Sequence, residues 1–247
     1  YMHEVGNTPR MGDVLSWSES SAVVYANSVL GARCNRNSGI LDLMGSVAGF
    51  VPYFGLLTDE GRKAKWIIRI NTTKKPEAQL LGSAIGMKVM EDVPYVIGLD
   101  KYLGNELNDA ACTYLKDFGA ACASNGAVGL YHIDKLTPEA KKYGEELILK
   151  DAKEYVIDDV ELERVYKSYP VIWKKKDAKP KLCFIGCPHM SLEQLKTWTV
   201  NVNNKLRENK TKQVSIPNVF TEAHGVIKES NKTEYRSMLD GNGEVFT

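Results

Sequence analysis

From Ala64 onward the chain alternates between short apolar runs and longer stretches with helical spacing, and no feature constrains the fold more. Such alternation implies βαβ units: parallel strands with helices on the faces of the sheet. The strand-like runs are 64–70 (AKWIIRI), 93–99 (VPYVIGL), 127–133 (AVGLYHI), 182–185 (LCFI) and 214–216. The spacing predicts helices over 77–90, 105–123, 157–167, 221–228 and 233–239. Two more helices carry start signals: Thr137-Pro138-Glu139, with proline in the first turn and an acid near the positive end, and a cap at Ser191 with Glu193 behind it. The run 173–181 is rich in lysine and reads as a solvated connector.

The first 60 residues are different, being rich in Gly, Ser and Asn. A boundary is expected near residue 62, separating a segment 1–62 from an α/β lobe 63–247. No internal repeat or low-complexity tract interrupts the chain. At 247 residues, 43% hydrophobic and 26% charged, it is long and apolar enough to bury a core. Lys and Arg number 32 against 31 Asp and Glu, a balance that argues against non-specific nucleic-acid binding. No apolar run approaches the roughly 20 residues of a membrane helix, and residues 1–30 lack the pattern of a signal peptide. The five cysteines are Cys34, Cys112, Cys122, Cys183 and Cys187. An odd number spread thinly suits a reducing cytoplasm better than a disulfide framework.

Two segments carry chemistry. The first, Trp17 to Arg36, reads WSESSAVVYANSVLGARCNR. If residues 20–30 are helical, Ser20, Asn27 and Gly31 share a face and Val23, Val24 and Leu30 turn to a core. Arg33 and Arg36 flank Asn35 and suit a carboxylate or phosphate clamp; an ordinary capped helix would give the same spacing. The second, Leu182 to Ser191, reads LCFIGCPHMS. In a parallel sheet ligands bind beyond the carboxyl ends of strands, which is where Cys187 would lie. Helix α-dipoles favour a thiolate near such a helix start, so Cys187 could be a nucleophile or an iron ligand. His189 could assist a thiolate, bind a substrate oxygen or simply pack in the turn. Cys183, inside the strand, reads as core, as do Cys112 and Cys122. No P-loop, dinucleotide turn, nucleophile elbow or zinc pattern is present.

Together the two segments resemble the aconitase X family. That family carries a run similar to W-x-E-S-S-A-V-x-x-A-N-S-V-L-G-A-R-x-N-R, matching Trp17 to Arg36, and later one similar to G-C-P-H-x-S-x-E-x-L, matching Gly186 to Leu195. The resemblance implies an aconitase-like α/β fold of parallel or mixed sheets flanked by helices. It implies cluster-assisted dehydration of a small hydroxy acid such as cis-3-hydroxy-L-proline or 5-phosphomevalonate, on a catalytic large subunit. A small swivelling domain, fused or separate, would supply the base. The implied cofactor is an iron–sulfur cluster, of 4Fe-4S type, with Cys187 as one ligand and His189 behind it. Arg33 and Arg36 would bind substrate carboxylate or phosphate. Ser20, Ser21, Asn27, Ser28 and Asn35 would hydrogen-bond the substrate or an oxygen at the cluster. Glu19 would be an acid–base group or orient Arg33.

The chain is expected to be an incomplete stretch of that large subunit, since the family has a cysteine shortly before the position of Tyr1 and a Cys-Pro segment beyond residue 247. Cys34 stands where the family more often has threonine, and Asn37-Ser38-Gly39 replaces a Glu-Gly-Gly run. Two rival readings are a metal-free enzyme with Cys187 as nucleophile and His189 as its base, and a non-catalytic iron–sulfur or scaffold subunit.

Overall fold

A computed structural model describes residues 6–170, 172, 174–175, 177–222 and 243–246. The chain divides into two compact units, Pro9–Tyr169 and Pro170–Thr247 with Tyr1–Thr8. Among the described residues every strand pairing is parallel, as the alternation implies.

The larger unit opens with β1 (Val14–Leu15), α1 (Ser20–Ser28), β2 (Arg33–Cys34) and α2 (Gly39–Ala48). Then follow β3 (Ala64–Asn71), α3 (Ala78–Val89), β4 (Pro94–Ile97), α4 (Asp100–Leu103) and α5 (Asp109–Asn125). It closes with β5 (His132–Ile133), α6 (Pro138–Tyr143), β6 (Ile148–Asp158) and α7 (Asp159–Ser168). The main sheet has the order β5-β4-β3-β6, and β1 and β2 form a separate pair. Its core includes Ala64, Val93, Tyr95, Leu130, Ala140 and Leu147. In the smaller unit β7 (Cys183–Met190), α8 (Leu192–Glu208), β8 (Asn218–Glu222) and β9 (Gly243–Phe246) form a sheet in that order of strands, β7-β8-β9. Met190, Leu195 and Phe220 form its buried cluster.

Caps set the helix ends. The Glu19 carboxylate takes the first free N–H groups of α1, Asn108 Oδ1 accepts from Ala111 at 2.9 Å, and Ser191 and Gln194 cap α8 reciprocally. Thr137 makes no such cap; its hydroxyl bonds back to Ile133.

Several segments differ from expectation. β6 has no apolar run to announce it. It is an edge strand studded with Lys150, Asp151, Lys153 and Glu154, which blunts the open side of the sheet. The run 127–133 pairs only at its end, because the Tyr131 N–H is taken by the Ser28 hydroxyl at 2.9 Å. Residues 214–216 are not a strand; β8 begins after Pro217, whose carbonyl accepts from Cys183 N at 2.8 Å. Thr221 and Glu222 end β8 rather than start a helix, and the rest of 221–228 and all of 233–239 lie outside the described residues. Cys183 is exposed, not core, and Cys112 is half-buried, whereas Cys122 is buried. The described lysines of the connector are exposed, as expected.

Helices α3 and α5 approach closely because Gly82 and Gly86 lack side chains. A Cβ on Gly82 would lie 2.3 Å from Phe118 O and 2.8 Å from Ala121 Cβ. Gly82→Ala should therefore destabilise the fold by about 1–3 kcal/mol in urea unfolding, although alanine is the better helix former. Gly39→Ala at the open start of α2, where nothing stands within 4 Å, should not.

Candidate active site

The segment 17–36 folds into α1, a tight return and β2, and it places its residues in three different settings. Glu19 sits at the exposed start of α1. Its carboxylate accepts from Ser21 N at 3.0 Å, Ala22 N at 2.5 Å and the Ser21 hydroxyl at 2.8 Å. Ser20 and Ser21 are half-buried, and the Ser20 hydroxyl makes no hydrogen bond among the described residues.

Asn27 and Ser28 lie deeper, at 1% and 2% exposure. Asn27 Nδ2 donates to Cys34 O and Gly129 O, both at 2.8 Å, while its Oδ1 accepts from Cys34 N at 2.8 Å. It thereby fixes β2 from both sides of one residue. Cys34 is fully buried, and that burial pushes its thiol up to about 11. Asn35 holds the next turn: Nδ2 donates to Phe54 O at 2.9 Å and Oδ1 accepts from Leu56 N at 2.8 Å.

The two arginines do not form one clamp. Arg33 donates to Leu57 O at 2.8 Å and pairs with Asp59, so Asp59 rather than Glu19 is its partner. It lines a cavity of about 300 Å³ with Arg62, Glu139 and Tyr143. Arg36 lines a different cavity of about 440 Å³, together with Asn35, Asn37, Leu56, Lys63 and Gly129. It has no ion pair among the described residues; its hydrogen bonds, to Ala123 O and Val128 O, are long at 3.5 Å. Burial lowers its affinity for a proton, and the Glu19 charge opposes that. In the same cavity Lys63 is paired with Glu60 and Lys65 with Asp92. Arg36 is thus an exposed cation at the cavity with open donors.

Beneath these residues lies a network that sequence patterns did not reveal. Arg62 is 1% exposed and Glu139 5%. Arg62 Nε donates to Glu139 Oε1 at 2.8 Å and Nη2 to Oε2 at 2.8 Å, a bidentate pair. The same guanidinium reaches Leu56 O at 2.9 Å and Asn27 O at 3.1 Å. His132 Nε2 donates to Arg62 O at 2.8 Å, which fixes the proton on that nitrogen. Its Nδ1 lies 3.9 Å from Glu139. Glu139 was expected to serve the dipole of α6; it faces inward and pairs with Arg62 instead. The only trace in the sequence was an arginine in the polar run just before β3.

In the smaller unit Cys187 and His189 are exposed on β7, on either side of Pro188, whose peptide bond with Cys187 is cis. Gly186 precedes them with φ 137°, packed so closely on Thr221 that a Cβ would overlap its hydroxyl. Only glycine suits that backbone, and the strand runs on, with a break in pairing register, through Cys187 to Met190 instead of ending before Cys187 as expected. Among the described residues no three His, Cys, Asp or Glu side chains converge to hold a metal ion.

Residues 1–60 match the first domain of aconitase X and residues 64–167 match its second domain. The chain belongs to the aconitase X family. Aconitase X relatives include the phosphomevalonate dehydratase large subunit of Thermococcus kodakarensis, 33% identical over 97% of this chain and 58% of that protein. The corresponding subunit of Methanocaldococcus jannaschii is 37% identical over 81% of this chain and 48% of its own length. A cis-3-hydroxy-L-proline dehydratase of Hypocrea jecorina is 32% identical over 77% of this chain and 32% of its own. The crystal structure of the holo-form of Thermococcus kodakaraensis aconitase X superposes with a TM-score of 0.81 at 32% identity, over 99% of this chain and 59% of that one. The chain therefore spans about three-fifths or less of the aconitase X proteins it matches. The aconitase-like α/β fold expected from the two motifs is confirmed.

Burial holds His132 below the ordinary histidine range, against the opposing pull of its hydrogen bond to the Arg62 carbonyl and of the Glu139 charge. The unfolded chain then binds a proton that the folded chain resists. Stability should be full above the unfolded value of about 6.5 and fall as pH drops below it. His132→Gln, which keeps a side-chain N–H for the Arg62 carbonyl, should flatten that fall in denaturant titrations between pH 7 and 5.

Proposed function

We propose that this protein is an iron–sulfur-dependent hydro-lyase of the aconitase X type, acting on a small hydroxy acid such as 5-phosphomevalonate or cis-3-hydroxy-L-proline. The observation that carries the reading is Arg36: an exposed guanidinium with no ion pair among the described residues, facing a 440 Å³ cavity and within the field of Glu19. The names of the relatives support the reaction class. Residues 1–62 would be the active-site segment and 63–247 the lobe that carries the Gly-Cys-Pro-His turn. The protein would work in the cytoplasm, where its unpaired cysteines stay reduced. No helix among the described residues is long and apolar enough to cross a membrane, and the even charge balance favours neither nucleic acid nor anionic lipid.

The described residues do not by themselves fit a cluster, since they bring together no set of three ligands. This chain would contribute the exposed Cys187 thiol, with His189 near it on the strand. The steps assigned to the chain are therefore those of its own side chains. Arg36 binds the substrate carboxylate or phosphate through paired N–H donors. Glu19, held by three hydrogen bonds, orients Arg36 electrostatically, and the open Ser20 hydroxyl supplies a further hydrogen bond, with Ser21 beside it. Asn27, Ser28 and Asn35 act by placing β2 and the turn after it. Arg33 shapes the neighbouring turn through Leu57 and Asp59. The base that removes the proton would come from a small swivelling-domain subunit.

Full-length protein assembled with that subunit should release water from 5-phosphomevalonate or cis-3-hydroxy-L-proline. Arg36→Ala should raise KM about tenfold or more, the effect of removing a charge-assisted hydrogen-bond partner of the substrate. Arg36→Lys should recover only part, because lysine lacks the planar fork. Dehydration of neither compound, or an unchanged KM in Arg36→Ala, would refute the reading.

A further inference from the structure

We propose that Arg62 is the positioning residue of the anion site, acting through Asn27 to fix where Arg36 presents its guanidinium. The inference rests on the reading of Arg36 given above and extends it to a residue just behind the wall of the 440 Å³ cavity. Arg62 does not line that cavity. It lies one layer below, and its donors tie together three elements that otherwise share little. Glu139 belongs to α6, Asn27 to α1 and Leu56 to the turn under Asn35. Asn27 passes the constraint on: it holds Cys34 by both N–H and C=O, two residues before Arg36. Leu56 passes it on by a second path, because its N–H is the donor to Asn35 Oδ1, next to Arg36. The Arg36 guanidinium makes only two long hydrogen bonds of 3.5 Å among the described residues, so its direction follows the backbone that carries it and the packing of its stem near Gly129. Two independent paths thus run from one buried guanidinium to the two residues preceding Arg36.

A side chain that only stabilises the fold would affect unfolding, and its effect on ligand affinity would not depend on Arg36. A positioning residue must lose its effect once Arg36 is gone. Because Arg62→Gln would strand the Glu139 carboxylate, the informative variants are Arg62→Lys and the charge-free pair Arg62→Gln with Glu139→Gln. Each would be placed in the full-length protein with its partner subunit, and binding and turnover of 5-phosphomevalonate measured. Arg62→Lys should weaken binding and raise KM about tenfold, with kcat within about twofold, as expected when a contact is misplaced rather than removed. The charge-free pair should do the same. In an Arg36→Ala background, Arg62→Lys should change affinity by less than about twofold.

Equal effects of Arg62→Lys with and without Arg36 would overturn the proposal and leave the anion reading intact. So would unchanged affinity in a folded Arg62→Lys protein. Unchanged affinity in Arg36→Ala, or no binding of 5-phosphomevalonate by the unaltered protein, would overturn the anion reading, and the proposal with it.

Discussion

The larger unit is organised around one buried ion pair, Arg62 with Glu139. Removing two charges from water costs several kcal/mol per ion, and the mutual attraction repays it only with good geometry and full hydrogen bonding. Both conditions hold. Two parallel N–H···O bonds join the pair, and the remaining donors of Arg62 find the carbonyls of Leu56 and Asn27. His132 closes the arrangement by donating to the Arg62 carbonyl. A hydrophobic pair in the same place could be as stable, but it could not aim α1, α6 and the 55–62 turn at one another. The loop that carries Arg36 is therefore built on directional bonds in a dry interior, where they are strong and where a missing partner is expensive.

That arrangement explains how residues adjacent in sequence come to do different work. In the run from Asn27 to Arg36, alternate needs are met by the fold. Asn27 and Ser28 face inward and hold Cys34 and Tyr131. Arg33 turns to Asp59 and Leu57 in one cavity, while Arg36 opens on another. Of the two guanidinium groups only that of Arg36 is short of partners among the described residues, so in the proposed function it is the one arm that would bind the anion, on a rigid mount. Preorganisation of this kind keeps a binding group from relaxing onto its own protein.

Much of the fold was legible in the residues. Apolar runs at β3 and β4, and helical spacing over α3, α5 and α7, all correspond to elements. The motifs at 17–36 and 186–195 carried the family. What escaped had physical reasons. β6 is an edge strand with charges along it, so it lacks the apolar alternation that marks a half-buried strand. The strand expected at 127–133 loses its middle to a side-chain hydroxyl, a long-range bond between Ser28 and Tyr131 that local pattern does not encode. Within the site, Glu19, the serines and Arg36 could be named from spacing and resemblance. Arg62, Glu139 and His132 could not, because their meaning lies in pairings across 70 or more positions. A lone arginine and a lone histidine look the same on a surface as in a core.

The central claim is that this scaffold serves a cluster-dependent dehydration. Its most direct test is the iron and acid-labile sulfide content of the full-length protein, purified without oxygen and recorded with its visible absorption spectrum. The account predicts several irons per chain with matching sulfide and a broad thiolate-to-iron absorption, all reduced in Cys187→Ser. A protein that takes up neither iron nor sulfide after anaerobic reconstitution would contradict it, and Cys187 would then have to be read as a nucleophile or as a side chain without chemistry.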